Sequence, residues 1–333
     1  DFSIPITDSH LGGFAPIAWT IENVRGCNLQ CGFCATTRFP KGEYHYMTED
    51  TFKNTMKIIQ AVSPNSKIDF ANAGEPTLHP ELINLLRIGK EIAPKVQLSV
   101  ITNGTMLLSK KITHKQMFEA GANIVLVDVY GPVENHIKLA EESGYTWYER
   151  CKPHDDKLPK AWTNYHDPSV KCIILQPNPA DWPDTKSRKT MLSTMLNDVD
   201  FELAKEFGMT PVIKAPQRRC DQPSKFVNVS WDGEYTFCCF DFMRNSVKYN
   251  LGNVSSGIKG FINFWMGEYM QKTRQILHRK NRQSHEFCSM CNFCSTRCDI
   301  PFWPEETLNQ YVKNGKWYPL ESEVEVAKKG LFF

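Results

Sequence analysis

Hydrophobic and polar positions alternate along the first two thirds of the chain in two periods. Trp19-Thr20-Ile21-Glu22-Asn23-Val24 switches every residue, the two-residue period of a half-buried strand. Thr48 to Val62 carries Met56, Ile59 and Val62 at helical spacing, with Thr48 placed to cap the first turn. The alternation continues. Lys67 to Ala71, Val96 to Thr102, Ile124 to Tyr130, Val170 to Leu175 and Pro211 to Lys214 read as strands. Pro80 to Ala93, Thr113 to Ala120, Glu134 to Ser143 and Ser187 to Phe207 read as helices, with Pro80 as a first-turn proline and Gly121 and Gly144 as stops. Six strands separated by helices predict an α/β fold of parallel βαβ units with right-handed crossovers.

Two stretches break this pattern. Tyr145 to Ser169 has prolines, aromatics and no clear period, and is read as a surface excursion or a substrate wall. Beyond Pro216, Phe226 to Val229 and Tyr235 to Phe240 flank Trp231-Asp232-Gly233-Glu234, a hairpin signal. An amphipathic helix is expected over Ile258 to Arg279.

Composition adds limits. The 333 residues hold one large or two ordinary domains, and 41% hydrophobic with 23% charged residues excludes wholesale disorder. The net charge of +2 argues against a protein built to coat nucleic acid. The basic run Arg274 to Arg282 reads as a solvated helix face; contact with a phosphate or an acidic partner is the alternative, with nucleic acid possible but not favoured. No apolar run approaches the ~18 residues of a membrane span, and a cytoplasmic location is expected.

The 12 cysteines change the picture. Three fall at 27–34 and seven at 220–298, with Cys151 and Cys172 between, which is how metal sites concentrate thiols. Cys27, Cys31 and Cys34 follow the first strand directly. Three thiolates suit three corners of an iron–sulfur cubane and leave one iron open to a chelating small molecule. With His45 nearby, a structural zinc ion is the competing reading.

CxxxCxxC in that loop, with an aromatic before its last cysteine, resembles the radical S-adenosylmethionine (radical SAM) superfamily. Asn72-Ala73-Gly74-Glu75-Pro76 after the second strand resembles that family's GGEP motif, and Thr102-Asn103-Gly104 ends the third strand as in many members. The resemblance covers residues 15–215 and implies a partial (β/α)6 TIM-type barrel. It implies a [4Fe-4S] cluster on Cys27, Cys31 and Cys34, and S-adenosylmethionine completing the open iron. Gly74 and Glu75 would meet the methionyl amine and Phe33 the adenine, with Thr102 and Asn103 lining the cofactor. Asp128, where many relatives have Ser, would face the ribose, and Lys138 the cofactor carboxylate.

Cys220, twelve residues, Gly233, four residues and Cys238 resemble the opening of the SPASM and twitch extensions of that superfamily, and Cys288-Ser289-Met290-Cys291 resembles their closing CxxC. The resemblance implies a small iron–sulfur domain at 216–300, followed by a tail at 301–333. One auxiliary [4Fe-4S] cluster on Cys220, Cys238, Cys288 and Cys291 is expected, with Cys294 and Cys298 as alternates. A zinc ribbon is the structural alternative. Cys172 and Cys239 read as packing, and Cys151 as a loop thiol or a hydrogen donor to a substrate radical.

The expected function is reductive cleavage of S-adenosylmethionine and hydrogen abstraction from a small polar, sugar or nucleoside-type substrate, giving an oxidation or a rearrangement. A flavodoxin- or ferredoxin-type protein would donate electrons, and the substrate would be free or carrier-bound. Cys27 near the first residue and the short stretch after Cys298 make a peptide maturase the second expectation. An electron carrier or zinc-ribbon protein without catalysis is the third.

Overall fold

A computed structural model describes residues 15–29, 31, 34, 36, 39–149, 166–177, 220, 222–239, 241–242, 244–279, 284–285, 288, 312–313 and 316–317. The expected helix at Ser187 to Phe207 and strand at Pro211 to Lys214 lie outside these residues, as do Phe33, Cys151, Cys291, Cys294 and Cys298.

The elements run β1 (Ala18–Ile21), β2 (Val24–Arg25), β3 (His45–Tyr46), α1 (Glu49–Val62), β4 (Lys67–Phe70), α2 (Leu82–Ile92), β5 (Gln97–Thr102), α3 (Thr105–Leu108), α4 (His114–Glu119), β6 (Ile124–Val129), α5 (Val133–Ser143), β7 (Thr146–Glu149) and β8 (Cys172–Pro177). Then come α6 (Gln222–Lys225), β9 (Phe226–Val229), β10 (Tyr235–Thr236), α7 (Gly257–Trp265), α8 (Glu268–His278), β11 (Val312–Lys313) and β12 (Lys316–Trp317).

One sheet organises them, in the order β10-β9-β1-β4-β5-β6-β8-β7. Every pairing in it is parallel except β9 with β10. The two faces of its strands bury different partners. Trp19, Ile21, Phe70, Val100, Val127 and Leu175 join the large core beneath the helices. Ile124, Leu126, Cys172 and Ile174 form a separate apolar cluster on the other face. An α/β sheet with helices outside and a second small core inside is a partial barrel.

Local chemistry explains the well-read elements. The Thr48 hydroxyl accepts from the Thr51 amide, and α1 buries Phe52, Met56, Ile59 and Val62 at helical spacing. Each such side chain removed from water contributes about 1.5–3 kcal/mol. Thr113 and Gln116 form a reciprocal capping box at α4.

Four expectations need correction. The helix placed at Pro80 begins at Leu82, because Pro76–Leu78 form a 3-10 turn capped by Glu75. Tyr145 to Ser169 opens with a strand, β7, whose four residues are too few to show a period. The helix expected over Ile258 to Arg279 is two helices. It ends at Trp265 and restarts after Gly267, a residue that disfavours helix interiors. The hairpin is present, but its second strand ends at Thr236 rather than Phe240. Its first strand, β9, lies parallel to β1 and pairs Asn228 with Thr20.

Candidate functional site

The loop after β1 and β2 is pulled onto the end of β4 by backbone alone. The Gly26 amide donates to the Ala73 carbonyl (2.9 Å), and the Glu75 amide to the Gly26 carbonyl (3.0 Å). This approach needs glycine at 74. A Cβ there would sit 1.9 Å from the Val24 carbonyl oxygen, inside any allowed contact.

Glu75 then ties β4 to β5. Its carboxylate is 2% exposed and accepts four hydrogen bonds. Oε1 takes the Thr77 amide (2.9 Å), the Thr77 hydroxyl (2.5 Å) and the Thr102 hydroxyl (2.6 Å), and Oε2 takes the Asn103 amide (2.7 Å). Burial pushes its pKa up, and these donors oppose that by favouring the anion.

Asn103 carries the link to the cysteine loop. Its Nδ2 donates to Cys27 Sγ (3.4 Å) and to Asn28 Oδ1 (2.9 Å). Its Oδ1 accepts from the Thr105 amide (3.0 Å) and hydroxyl (2.8 Å). Asn28 Nδ2 donates to the same Thr105 hydroxyl (2.7 Å).

These contacts surround a cavity of about 160 Å³ at the carboxyl ends of the strands, where barrel enzymes place their chemistry. Cys27, Cys31, Cys34, Gly74, Glu75, Thr102, Asn103 and Asp128 all line it. Asp128 accepts from Gln176 Nε2 (2.7 Å) on the neighbouring strand. Lys138 is exposed on α5 and does not line the cavity. Sequence reading missed Tyr130 and Thr36, which both line the cavity; Thr36 also hydrogen-bonds Cys34 (3.1 Å). Tyr130 had only its place at the end of a strand to announce it.

Burial first, and neighbouring thiols after it, push Cys31 up to about 12. Burial likewise raises Cys27 to about 11. Bare thiols here would stay protonated; a bound cation would release those protons. Among the described residues no three His, Cys, Asp or Glu side chains converge on a single ion. A cubane fits this donor set better, since soft thiolates bind its separate corners rather than one common centre.

Cys220, Cys238 and Cys288 lie in the later part of the chain. Cys238 and Cys288 are buried, and Cys220 is partly so. Cys239 donates to Gln222 Oε1 (3.6 Å). His285 Nδ1 accepts from the Cys288 amide (3.3 Å), so its Nε2 carries the proton and donates to the Thr273 hydroxyl (3.0 Å). Arg274, read from the sequence as part of a solvated face, is 3% exposed; Arg279 of the same run is exposed.

Comparison with known proteins agrees with both sets of cysteines. Residues 21–155 match the radical SAM superfamily model, and residues 220–292 match the SPASM iron–sulfur cluster-binding domain. The radical SAM match implies S-adenosylmethionine and a [4Fe-4S] cluster, and the SPASM match implies auxiliary iron–sulfur binding. A Pyrococcus furiosus protein described as a tungsten-containing aldehyde ferredoxin oxidoreductase cofactor-modifying protein is 23% identical over 335 residues, covering 86% of this chain and 91% of its own. Among solved structures, BtrN in complex with AdoMet and 2-DOIA shares the fold with a TM-score of 0.57 at 19% identity, covering 84% of this chain and 94% of BtrN. BtrN in an open conformation gives 0.51 at 17% identity, over 83% of this chain and 92% of its own.

Proposed function

We propose that this chain, which belongs to the radical SAM superfamily and carries a C-terminal SPASM region, oxidises or rearranges a small polar substrate by hydrogen abstraction. The observation that carries the reading is the meeting of Cys27, Cys31 and Cys34 with Gly74, Glu75, Thr102 and Asn103 around one cavity. When bound, the cluster and S-adenosylmethionine supply reductive carbon–sulfur cleavage and a 5′-deoxyadenosyl radical that takes a substrate hydrogen.

The protein's own residues supply placement. Cys27, Cys31 and Cys34 would hold the cluster and leave one iron free for S-adenosylmethionine. Gly74 lets the β4 turn lie flat against the cysteine loop. Glu75 fixes Thr102 and Asn103, and Asn103 donates to Cys27 and so holds that thiolate in one direction. Asp128 is set by Gln176 to accept from ribose hydroxyls, and Phe33 is assigned to adenine. Cys220, Cys238, Cys288 and Cys291 would hold one auxiliary cluster, which would supply an electron acceptor when the net reaction is an oxidation.

BtrN, crystallised with AdoMet and 2-DOIA, shares the fold and supports a small polar substrate. A cofactor precursor is the second reading, favoured by the cofactor-modifying relative. Electrons come from a small reduced redox protein. Among the described residues no helix is long and apolar enough to cross a membrane.

Anaerobic reconstitution with iron, sulfide, S-adenosylmethionine and dithionite tests the reading. 5′-Deoxyadenosine should form, and its yield should rise with a true substrate. Reconstituted protein that binds four irons per site yet makes no deoxyadenosine would refute it.

A further inference from the structure

Arg274 presents an electrostatic problem that the fold leaves open. Its Nε donates to the Pro223 carbonyl (2.8 Å) and its Nη1 to the Trp265 carbonyl (2.6 Å), with the guanidinium 4.2 Å above the Trp265 ring. Nη2 is buried and has no partner. Among the described residues no carboxylate pairs with it. Arg244, by contrast, meets Asp232 and Glu234, each at 2.6 Å. A guanidinium stays protonated even here, although burial pulls its pKa down. A buried cation without an anion is among the costliest arrangements in a protein, so its position calls for a negative group.

The neighbours of Arg274 connect it to the segments that carry cysteines. Pro223, its first acceptor, is three residues after Cys220, and Gln222 beside it accepts from Cys239. Thr273, adjacent on α8, bonds His285, which accepts from the Cys288 amide. The His285 ring also packs 5.5 Å from that of Phe237, next to Cys238. So Thr273 and Arg274 join the segments that carry Cys220, Cys238 and Cys288. An iron–sulfur cluster on four thiolates is net negative in either oxidation state.

We propose that Arg274 is the built-in countercharge of the auxiliary cluster and raises its reduction potential. The inference rests on the reading that these cysteines hold that cluster. One buried positive charge stabilises the more negative, reduced state and makes the cluster a better electron acceptor.

The test is an EPR-monitored redox titration of the reconstituted full chain, comparing wild type with Arg274→Gln and Arg274→Lys. Arg274→Gln should lower the reduced-to-oxidised ratio of the auxiliary cluster at least tenfold at fixed potential, a fall of about 59 mV for one electron. Arg274→Lys, which keeps the charge, should stay within threefold of wild type. The radical SAM cluster should titrate alike in all three. An unchanged auxiliary potential in Arg274→Gln overturns the proposal. If Arg274→Gln does not fold, wild type labelled with 15N-arginine decides. Nitrogen modulation on the reduced auxiliary signal supports the countercharge, and its absence overturns it. Wild type with no second cluster signal at all would instead remove the auxiliary-cluster reading, and the countercharge with it.

Discussion

Replacing Glu75 by Gln probes the joint between β4 and β5 with almost no change of volume. The carboxylate accepts three donors on Oε1 and the Asn103 amide on Oε2 at 2.7 Å. A glutamine has one oxygen and one NH2. With its oxygen toward Thr77 and Thr102, its NH2 points at the Asn103 N–H, donor against donor. One charge-assisted bond disappears, at about 1.5–3 kcal/mol, and a buried amide is left unsatisfied at about 1–3 kcal/mol. Some of this returns because a neutral side chain no longer bears the burial that pushes the Glu75 pKa up. A net loss near 3 kcal/mol, at roughly 2–4 °C per kcal/mol, lowers the melting temperature by about 6–12 °C. Differential scanning calorimetry on cluster-free protein under argon reads this directly, without any contribution from bound iron. A Glu75→Gln protein melting within about 2 °C of wild type would show that the native group is already protonated, and the four-acceptor account would fall.

Gly74→Ala forces a Cβ to 1.9 Å from the Val24 carbonyl and must part the Gly26–Gly74 bridge. About 3 kcal/mol of stability and most of the N-terminal cluster's iron should be lost, as iron analysis after reconstitution will show. Cys31→Ala should abolish deoxyadenosine formation, whereas Cys238→Ala should keep part of it and stop substrate turnover; chromatography of both products separates the two roles. Glu22 is buried under Arg25, and burial lifts it from 4.5 to about 7. Between those values the native state binds more protons than the unfolded chain, so stability falls as pH rises through that window and is level above about 7. At ~1.4 kcal/mol per pH unit the gap amounts to at most about 3.5 kcal/mol. Glu22→Gln should flatten the slope; urea melts from pH 5 to 8 that keep it would assign the slope to another group.

The parts legible in the sequence are those governed by neighbours along the chain. Helix α1 announced its cap and buried face; Cys27, Cys31 and Cys34 stood out by spacing, and a family resemblance pointed to Gly74, Glu75, Thr102 and Asn103, which line the same cavity. What stayed hidden depends on contacts between distant segments. Lys138 looked suited to a carboxylate, but its exposed position on α5 is a matter of helix rotation. Arg274 looked solvated among other basic residues, yet the turn of α8 puts it inward while Arg279 stays out. Asn28 and Thr105 are 77 residues apart, and only the folded sheet brings them together.

The parallel seam between β9 and β1 has a consequence for any attempt to dissect this protein. The strand feeding the first cysteine loop has β4 on one flank and β9 on the other. A shortened version stopping before residue 220 would strip that second flank and expose a row of unsatisfied amides and carbonyls, an invitation to self-association. The two halves are therefore not modules to be expressed apart.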